Sequence, residues 1–414
     1  MNSSVPGGWK LLPIGDVTAF SQGIQVDVEQ HHEKEGDSKV RFVRISDYTK
    51  SHEPPRYIDS SLALKGLVEK DDVVMIRYGE AGRVCRGIVG AIANNLFTIR
   101  PNSILEKEYL FQYLTSKEVS QRIGELAASS AMPAISFSSL KSINLTVPPL
   151  PEQKKIASIL TSVDEVIENT QKQIDKLQDL KKATMNELLT KGIGHTEFKD
   201  SELGRIPKSW DVLTFSESDI KVLDGDRGNE YPKEADFKSS GFCLFLSAKN
   251  VTKNGFRFDT TAFITKDKDE RLRKGRLNPQ DIVITTRGTV GNIAFYDDSV
   301  NFNTVRINSG MAIIRNNNAH IECAFIYKLL SSGVITTQLK NLTFGSAQPQ
   351  LTIGTLNELQ LPIPPLAEQS QIVSAITSIQ IALDKMENKI SQTKSLKKSL
   401  MQDLLTGKVR VTVN

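Results

Sequence analysis

Two short turns place glycines among side chains that can donate hydrogen bonds, and each turn follows an apolar stretch. The first reads IRYGEAGRVCRG from Ile76, and the second reads TTRGTVGN from Thr285. Arginine can bridge two acceptors of guanine and asparagine can pair with adenine, while glycine lets a backbone approach a phosphate. The turns are candidate base-reading sites, with a solvated surface turn as the alternative. The candidate residues are Arg77, Tyr78, Arg83, Thr286, Arg287, Thr289 and Asn292.

Further segments in each half of the chain carry polar residues that suit the same chemistry. The amides of Gln348 and Gln350 in GSAQPQ could read a base edge, although a proline-fixed connection into the next strand explains this segment as well. Other residues near predicted strand ends could contact phosphates or bases, and they are Arg44, Lys50, Lys249, Asn250 and Lys253.

Sequence signatures of enzyme active sites are absent. The sequence contains no Gly-x-x-x-x-Gly-Lys, no His-Glu-x-x-His, no Gly-x-Ser-x-Gly and no Asn-Pro-Pro-aromatic run. PEQKK at 151–155 resembles a nuclease motif, but its second copy reads AEQSQ and lacks the lysine, so helix capping explains the glutamate better. The three cysteines are too far apart to indicate a zinc site or a disulfide framework. We therefore expect no catalytic residue, metal or cofactor in this chain.

Composition sets broad limits on the kind of protein. The 414 residues suit several domains, and 52 basic against 48 acidic residues give a net charge of +4. This mild charge permits a nucleic-acid partner without arguing for one. No apolar run approaches the roughly 20 residues of a membrane helix, and the first residues do not resemble a signal peptide. We expect an intracellular protein that does not enter a membrane.

The sequence elements that must position the candidate residues occur twice, as an internal repeat. Shifting the chain by 216 positions aligns 145–190 with 361–406, with 18 identities in 46 positions and no gap. PPLPEQ at 148–153 thus matches PPLAEQ at 364–369, and both turns described above also fall at matching places. A repeat of this length indicates duplication of a whole domain with its connecting helix, and excludes a solenoid of short repeats.

Both copies of the repeated segment predict a long helix. Apolar residues recur every three or four positions on one narrow stripe with charged flanks, which is typical of a coiled coil. A helix of roughly 36 residues would span about 54 Å. Because one such stripe is not satisfied alone in water, we expect the two helices to pair with each other. The stripe residues are Ile156, Leu160, Val163, Ile167, Ile174, Leu177, Ile372, Ile376, Ile379, Leu383, Met386 and Ile390, and the pattern continues through Leu180 and Leu396.

The segment before each helix predicts a globular module of mixed strands and helices. DVVMIRY, DIVITTRG and GMAIIR are rich in β-branched residues and indicate strands, while 106–127 and 321–339 indicate helices. The fold class is α+β, with two α/β modules and two long helices. The predicted domains are a module at 1–147, a helical spacer at 148–197, a module at 198–363 and a spacer at 364–414.

Taken together, these motifs resemble the specificity subunit of type I restriction-modification systems. The resemblance rests on the duplicated (I/V)PPL-x-EQ motif followed by a helix ending in LLT, on DIVITTRGTVG and on ELGRIPKSW, and it covers essentially the whole chain. The first copy departs from it with RYGEAG in place of TRGTVG. The resemblance implies two target recognition domains, each for one half of a split, asymmetric DNA sequence, and an antiparallel pair of helices that sets the spacer between the halves.

The resemblance also implies partners. Two methyltransferase subunits would dock on the helices and methylate adenine N6 with S-adenosylmethionine, and restriction subunits would use ATP and Mg²⁺ to translocate and cleave double-stranded DNA. The complex would lie in bacterial or archaeal cytoplasm, at the nucleoid. One alternative is the DNA-recognition subunit of a type II-like system with a fused methyltransferase-nuclease partner. Another is a coiled-coil scaffold that binds no DNA.

Overall fold

The computed structural model of the chain describes residues 5–50, 52–128, 134–343 and 350–413. It divides into two compact units, which we call unit 1 (Met1–Lys172 with Met386–Asn414) and unit 2 (Gln173–Lys385). The sequence assigned each long helix to the module before it, whereas each compact unit contains a module and parts of both helices.

Unit 1 has a module of small sheets and helices, followed by the start of a long helix. Its elements are β1 Lys10–Pro13, α1 Ile14–Val17, β2 Thr18–Gln22, β3 Lys39–Val43, α2 Ile45–Thr49, β4 Arg56–Asp59, β5 Leu67–Val68, β6 Val74–Ile76, β7 Val84–Cys85, β8 Gly90–Ile92, β9 Leu96–Pro101, α3 Lys107–Leu114, α4 Lys117–Ala128, α5 Phe137–Lys141 and β10 Asn144–Val147, and the long helix is α6 Leu150–Lys191.

The module of unit 2 follows α6 and repeats this order with additions. Its elements are β11 Phe198–Ser201, β12 Gly204–Pro207, β13 Asp211–Thr214, β14 Ile220–Asp224, β15 Cys243–Phe245, β16 Val251–Thr252, β17 Gly255–Phe256, β18 Phe263–Ile264, α7 Lys266–Arg271, β19 Ile282–Thr285, β20 Ile293–Phe295, β21 Val305–Arg306, β22 Met311–Asn316, α8 Cys323–Leu330, α9 Gly333–Thr343, α10 Ile353–Asn357 and β23 Gln360–Ile363, and the second long helix is α11 Leu366–Leu405.

Sheet topology shows that the modules are copies of one fold. The order β2-β9-β6-β7 in unit 1 corresponds to β14-β22-β19-β20 in unit 2, and β1-β10 corresponds to β13-β23. The second sheet of each module contains one parallel pair, β3 with β8 and β15 with β21, among antiparallel neighbours. The α+β class and the duplicated modules predicted from sequence are confirmed.

The predicted module helices differ from the observed ones, because each breaks into two. In unit 1 the break between α3 and α4 lies at Thr115 and Ser116, and in unit 2 it lies at Ser331 and Ser332. The hydroxyl of Ser116 donates to the Tyr113 carbonyl at 2.7 Å, and that of Ser332 donates to the Leu329 carbonyl. Such hydroxyls compete for the carbonyls that would continue a helix, which favours a break at this place.

The long helices exceed their predicted length. α6 contains 42 residues and α11 contains 40, which correspond to about 63 and about 60 Å. The ends of the apolar stripe join the module cores. Ile156 and Leu160 lie in the core of unit 1 with Leu404 and Leu405, and Ile372 and Ile376 lie in the core of unit 2 with Met185 and Leu189. Each such side chain stabilises its unit by about 1.5–3 kcal/mol when fully buried.

Other stripe positions vary in burial. Ile174, Leu383 and Ile390 are buried, while Val163, Ile167, Leu177, Ile379 and Met386 are half-buried. Leu180 is 51% exposed and Leu396 is 54% exposed, so the prediction that the buried stripe continues through these two leucines is wrong. Leu180 and Leu396 each lie six residues beyond a buried stripe residue, Ile174 and Ile390, and a step of six residues rotates them away from its face.

Within each unit the two helices run antiparallel. In unit 1 Lys397 of α11 contacts Asp164 of α6 at 2.7 Å, and Arg410, just after α11, contacts Glu152 at the start of α6. In unit 2 Lys181 of α6 donates to Gln380 of α11 at 2.5 Å, and His195, just after α6, lies 2.8 Å from Glu368 near the start of α11. The residue number rises on one helix as it falls on the other in every case, which confirms the predicted antiparallel pairing. No helix in the described ranges is long and apolar enough to cross a membrane.

The repeated Glu-Gln motif fastens each helix to its module. Gln153 donates to the carbonyls of Ile104 and Pro148 at 2.9 and 2.8 Å and accepts from the backbone N–H of Glu106 at 2.8 Å. Gln369 makes the matching three bonds, to His320, Pro364 and Glu322. Both glutamines are fully buried. Glutamine suits this position because its amide offers donors and an acceptor at once.

The glutamate of the motif joins three elements at what we call the glutamate junction. In unit 1 Trp9 Nε1 donates to Glu152 at 3.1 Å, and Arg410 donates two bonds to the same carboxylate at 2.6 and 2.9 Å. In unit 2 Trp210 Nε1 donates to Glu368 at 3.0 Å, and His195 Nε2 lies 2.8 Å from it. Helix capping, the explanation suggested by the sequence, does not account for these partners.

Candidate nucleic-acid interface

The two glycine turns have the same backbone conformation. Gly82 donates its backbone N–H to the Ile76 carbonyl at 2.8 Å, and Gly291 donates to the Thr285 carbonyl at 2.9 Å. The left-handed φ angles of these turns are 78° at Gly79, 89° at Gly82, 74° at Gly288 and 88° at Gly291. Such angles favour glycine. The spacing seen in the sequence therefore encodes one turn geometry, which is used once in each unit.

A second candidate segment lies beside each turn. In unit 1 the backbone N–H of Ile135 donates to the Arg77 carbonyl at 3.1 Å, and in unit 2 Leu351 donates to the Thr286 carbonyl at 3.0 Å. The two segments that the sequence singled out separately thus meet in each unit. Gln348 lies outside the described residues, while Gln350 is described and exposed.

In unit 2 the meeting point forms a polar cleft. The cleft has a volume of about 270 Å³, and Arg227, Thr286 and Gln350 are among its lining residues. Arg287, which is exposed, donates from Nη2 and Nε to the amide oxygen of Gln350 at 3.0 and 3.1 Å in the amide orientation that satisfies both groups. An arginine fork beside an amide presents several donors toward solvent, as direct reading of base edges requires.

Arg227 is a candidate that sequence reasoning missed. It follows β14 in the turn DGDRGN, is 48% exposed at its side chain, and contacts Asp224 at 3.0 Å. Asp226 orders this turn by accepting from the backbone of Gly228 at 2.8 Å and Arg273 at 2.7 Å. Burial raises the pKa of Asp226, but these backbone donors outweigh it and leave the pKa below its usual value. The sequence signal that could have identified Arg227 is a single arginine in a glycine-rich turn after a strand.

Other predicted residues of the second turn differ in availability. Thr289 is exposed, whereas Thr286 is only 6% exposed and contributes mainly its backbone. Asn292 donates its side-chain amide to the Val251 carbonyl at 3.0 Å, which fixes the turn against β16. In this arrangement Thr286 and Asn292 shape the turn, while Arg287 and Thr289 face solvent.

The turn of unit 1 is built with other side chains. The guanidinium of Arg77 lies over the rings of Tyr78 and Phe137, at 5.2 and 5.7 Å from their centroids. Tyr78 is 41% exposed. Arg83 contacts Glu80 at 2.5 Å and donates to the Tyr48 carbonyl at 3.2 Å. An exposed aromatic beside a stacked arginine gives this surface a chemistry distinct from that of unit 2.

The outlying candidates fall into two groups. Lys50, Lys249 and Lys253 are exposed and suit phosphate contacts, although Lys50 also lies 3.8 Å from Glu53. Arg44 is held by Asp47 at 3.1 Å and by the Pro54 carbonyl at 2.9 Å.

Asn250 is 2% exposed, and its amide donates to the carbonyls of Arg257 and Thr260 at 3.0 and 2.8 Å. The structure contradicts a DNA contact for Asn250, because the amide is committed to its own loop. Among the residues whose positions are described, no group of three or more His, Cys, Asp or Glu side chains could bind a metal ion.

Comparison with known families agrees with the duplicated architecture. Residues 6–179 and 210–394 match the family described as type I restriction modification DNA specificity domain. The chain belongs to this specificity family. The two matched ranges cover one module each, together with most of the long helix that follows it.

Relatives in the specificity family match over three quarters of the chain or more. The MjaVIII specificity subunit of Methanocaldococcus jannaschii is 28% identical over 416 residues, covering 98% of this chain and 94% of the relative. The putative MjaX specificity subunit of the same organism is 30% identical and covers 77% of this chain and 72% of the relative. The EcoBI specificity subunit of Escherichia coli is 23% identical and covers 98% and 86%.

Solved structures show the same fold. The S subunit of a type I restriction-modification system from M. genitalium superposes with a TM-score of 0.61 at 17% identity, covering 100% of this chain and 98% of that one. A chain from a study of assembly and conformational transition of the type I system superposes with a TM-score of 0.57 at 16% identity, covering 98% and 100%. Specificity-family chains thus share this architecture despite low sequence identity.

Proposed function

We propose that this chain supplies DNA sequence specificity to a type I restriction-modification complex, and that each unit reads one half of a bipartite, asymmetric target. One observation carries the proposal. The same pairing of a glycine turn with a second segment occurs once per unit, but the exposed side chains differ, as two unlike half-sites require.

The reading step follows from the side chains that face solvent. In unit 2, Arg287, Gln350 and Arg227 would enter the major groove, where arginine recognises guanine and glutamine recognises adenine. In unit 1, Arg77 and Tyr78 would contact the other half-site. Lysines such as Lys249 and Lys253 would hold phosphates and fix the register of the protein on the duplex. With a net charge of +4, the isolated chain would bind DNA weakly and with strong salt dependence.

The long helices would set the spacer between the half-sites and dock the partner subunits. Each unit exposes an apolar side chain from each helix, with Val166 and Leu396 in unit 1 and Leu180 and Ile381 in unit 2. In the proposed complex the partner subunits would cover these apolar side chains. One methyltransferase subunit per unit, two in total, would dock there, and restriction subunits would join the assembled complex.

The chemistry would lie in the partners. The methyltransferase subunits would bring S-adenosylmethionine and flip the target adenines out of the duplex, and the restriction subunits would bring ATP and Mg²⁺. This chain would have no catalytic activity of its own and would work in the cytoplasm, on chromosomal and invading DNA.

Long-read methylation mapping of the host, with and without this gene, tests the proposal. We expect deletion to abolish methylation at one split motif that carries a modified adenine in each half. Co-expression with the neighbouring methyltransferase gene in a methylation-free strain should restore the motif. If co-expression of soluble proteins produces no split motif, the chain does not have this function.

A further inference from the structure

Besides the polar cleft of unit 2, the structure has a cleft in unit 1 that does not include the candidate base-reading turn. It has a volume of about 440 Å³ and lies between the first residues of α4 and the two long helices. Lys117, Lys394, Lys397 and Lys398 line it, together with Ile167 and Met401. We call it the lysine cleft. Its size is within the range of pockets that enclose a ligand or a few side chains of a partner.

Charge in the lysine cleft is only partly compensated. Lys397 contacts Asp164 at 2.7 Å, and the carboxylate of Glu118 also lines the cleft. Within the described part of the chain, Lys117, Lys394 and Lys398 are exposed and form no salt bridge. Three lysines without a partner repel one another, and an acidic ligand would relieve this repulsion.

The floor of the lysine cleft is apolar. Ile167 and Met401 are half-buried there, and methionine adapts readily to an inserted side chain. No arginine is among the lining residues of the cleft, so the bidentate fork that favours phosphate is missing. An apolar floor beneath flexible ammonium groups suits a protein segment that combines an apolar side chain with carboxylates.

The duplication does not explain the charge. At the positions of unit 2 that match by the shift of 216, Gly333 replaces Lys117 and Gln178 replaces Lys394, while Lys181 and Lys182 are kept. Lys181 donates to Gln380. Two of the four lysines are thus particular to unit 1.

The cleft is also separate from the base-reading turn along α4. Gly82 of the turn packs against Ile123, in the middle of α4, whereas Lys117 begins the helix. The six residue steps from Lys117 to Ile123 span about 9 Å. Two of the cleft's walls belong instead to the helices that the proposed function assigns to partner docking.

We propose that the lysine cleft holds an acidic segment of the methyltransferase subunit that docks on unit 1. An apolar side chain of this segment lies between Ile167 and Met401, and its carboxylates contact Lys117, Lys394 and Lys398. The inference rests on the proposed function, which supplies the partner. Because unit 2 lacks two of the lysines, the two copies of the methyltransferase subunit bind with unequal affinity, and unit 1 is occupied first.

A charge-reversal experiment tests the inference with the full-length chain and the purified methyltransferase subunit as the probe. Lys117, Lys394 and Lys398 are changed together to glutamate. The matched control changes Lys154, Lys155 and Lys389, which are exposed lysines of α6 and α11 outside the cleft, so that net charge changes equally. A third variant with glutamine at the three cleft positions removes charge without reversing it, and circular dichroism verifies that all variants fold.

Binding is measured by sedimentation velocity and interferometry at 50 and 300 mM NaCl. We expect the cleft reversal to weaken the first binding step at least tenfold at low salt and to remove much of its salt dependence. The glutamine variant should show an intermediate loss, and the control should stay within threefold of wild type. A photo-crosslinker at Gln402, which also lines the cleft, should map to an acidic segment of the partner.

Unchanged affinity of the folded cleft variants for the methyltransferase subunit overturns the inference. So does a loss confined to DNA binding by the assembled complex, which would make the lysines phosphate contacts. Methylation mapping separates this failure from failure of the proposed function. A split motif that survives the cleft reversal leaves the proposed function standing, whereas absence of any split motif with the wild-type chain rejects that function first.

Discussion

At the scale of single residues, the glutamate junctions show how one motif gains two different partners. Glu152 binds Trp9 and Arg410, and Glu368 binds Trp210 and His195. In both units the carboxylate ties the start of one helix to the module and to the residues that follow the other helix. The repeated glutamate is thus a structural residue, and the nuclease resemblance of PEQKK has no counterpart in its contacts.

The junction of unit 1 should make the free energy of unfolding decrease at acidic pH. Arg410 and then Trp9 hold the pKa of Glu152 below its usual value, against the opposing effect of burial. A carboxyl with a lower pKa in the folded state stabilises that state above its unfolded pKa of about 4.3, and this stabilisation is lost as pH falls through the folded pKa. Glu152→Gln should therefore lower the free energy of unfolding at pH 7 by about 1–3 kcal/mol.

Denaturant unfolding of unit 1 between pH 7 and pH 3 checks this expectation. The stability of Glu152→Gln should fall less than that of wild type below about pH 5, because the titrating group is gone. Glu165→Gln, at an exposed position of the same helix, is the control and should behave as wild type. Parallel pH curves for all three proteins would contradict the linkage.

Arg287 should contribute to one half-site only. Arg287→Ala should weaken binding by about 1–3 kcal/mol and relax the preference at one base pair of the half-site read by unit 2, if its fork contacts guanine. Binding of the assembled methyltransferase to a library of target variants measures this. Arg271→Ala, at an exposed arginine outside the turn, is the matched control. An equal loss on every sequence would show a phosphate contact instead.

Gln350→Ala provides a second test of the same cleft. Gln350 accepts from Arg287, so its removal should free the guanidinium and change the preferred base as well as affinity. The double variant should then lose less than the sum of the single losses, because the two side chains are coupled. Strict additivity would indicate that Gln350 and Arg287 read independent positions.

At the scale of elements, the sequence predicted the helices and turns that are encoded by neighbouring residues. The stripe of Ile156, Leu160 and Ile372 predicted both long helices, and the glycine spacing predicted both turns. Which side chains are exposed to solvent could not be predicted from the spacing of neighbouring residues. Asn250 is buried, and its side-chain amide donates to the carbonyls of Arg257 and Thr260, which lie seven and ten positions later in the sequence. The exposure of Leu180 depends on the rotation of the helix over several turns.

The length of the paired helices should determine the spacer. Removing 170–176 together with 385–391 deletes one heptad from each helix at facing positions and keeps the pairing register on both sides. The helices shorten by about 10 Å, which corresponds to about three base pairs. Methylation mapping should show a target with unchanged half-sites and a shorter spacer. Removing 170–176 alone should disturb pairing and abolish activity. An unchanged spacer in the double deletion would reject the role of the helices as a ruler.

At the scale of the whole molecule, unit 1 brings together residues 6–9 and residues 407–410, which are distant in the sequence. Arg410 donates to the Gly7 carbonyl at 3.0 Å, and Gly407 packs against Pro6 and Trp9. In unit 2 the segment after α6 makes the equivalent approach to Trp210 through His195, but there the chain is continuous. The junction of unit 1 therefore joins two segments that are distant in the sequence, where unit 2 uses one continuous segment.

Because the two junctions are equivalent, we predict that a break in the chain is tolerated at the junction of unit 2. A variant with residue 413 joined to residue 5 by a short glycine-serine linker, and with new ends between residues 196 and 197, should fold and give the same methylation motif. New ends placed inside α6, at 160–161, are the control and should abolish folding, because they interrupt a buried helix. Loss of the motif in a stably folded first variant would contradict the equivalence of the junctions.

The division of unit 1 into distant parts of the chain also has a consequence for its synthesis. The ribosome releases residues 173–385 before residues 386–414, so unit 2 can complete its core while unit 1 still lacks Leu404, Leu405 and Arg410. The apolar surface that these residues cover stays open until residues 404–410 have left the ribosome. A prematurely terminated chain would therefore carry a finished second unit and an open first one, a form that proteases and chaperones can recognise before it enters a complex.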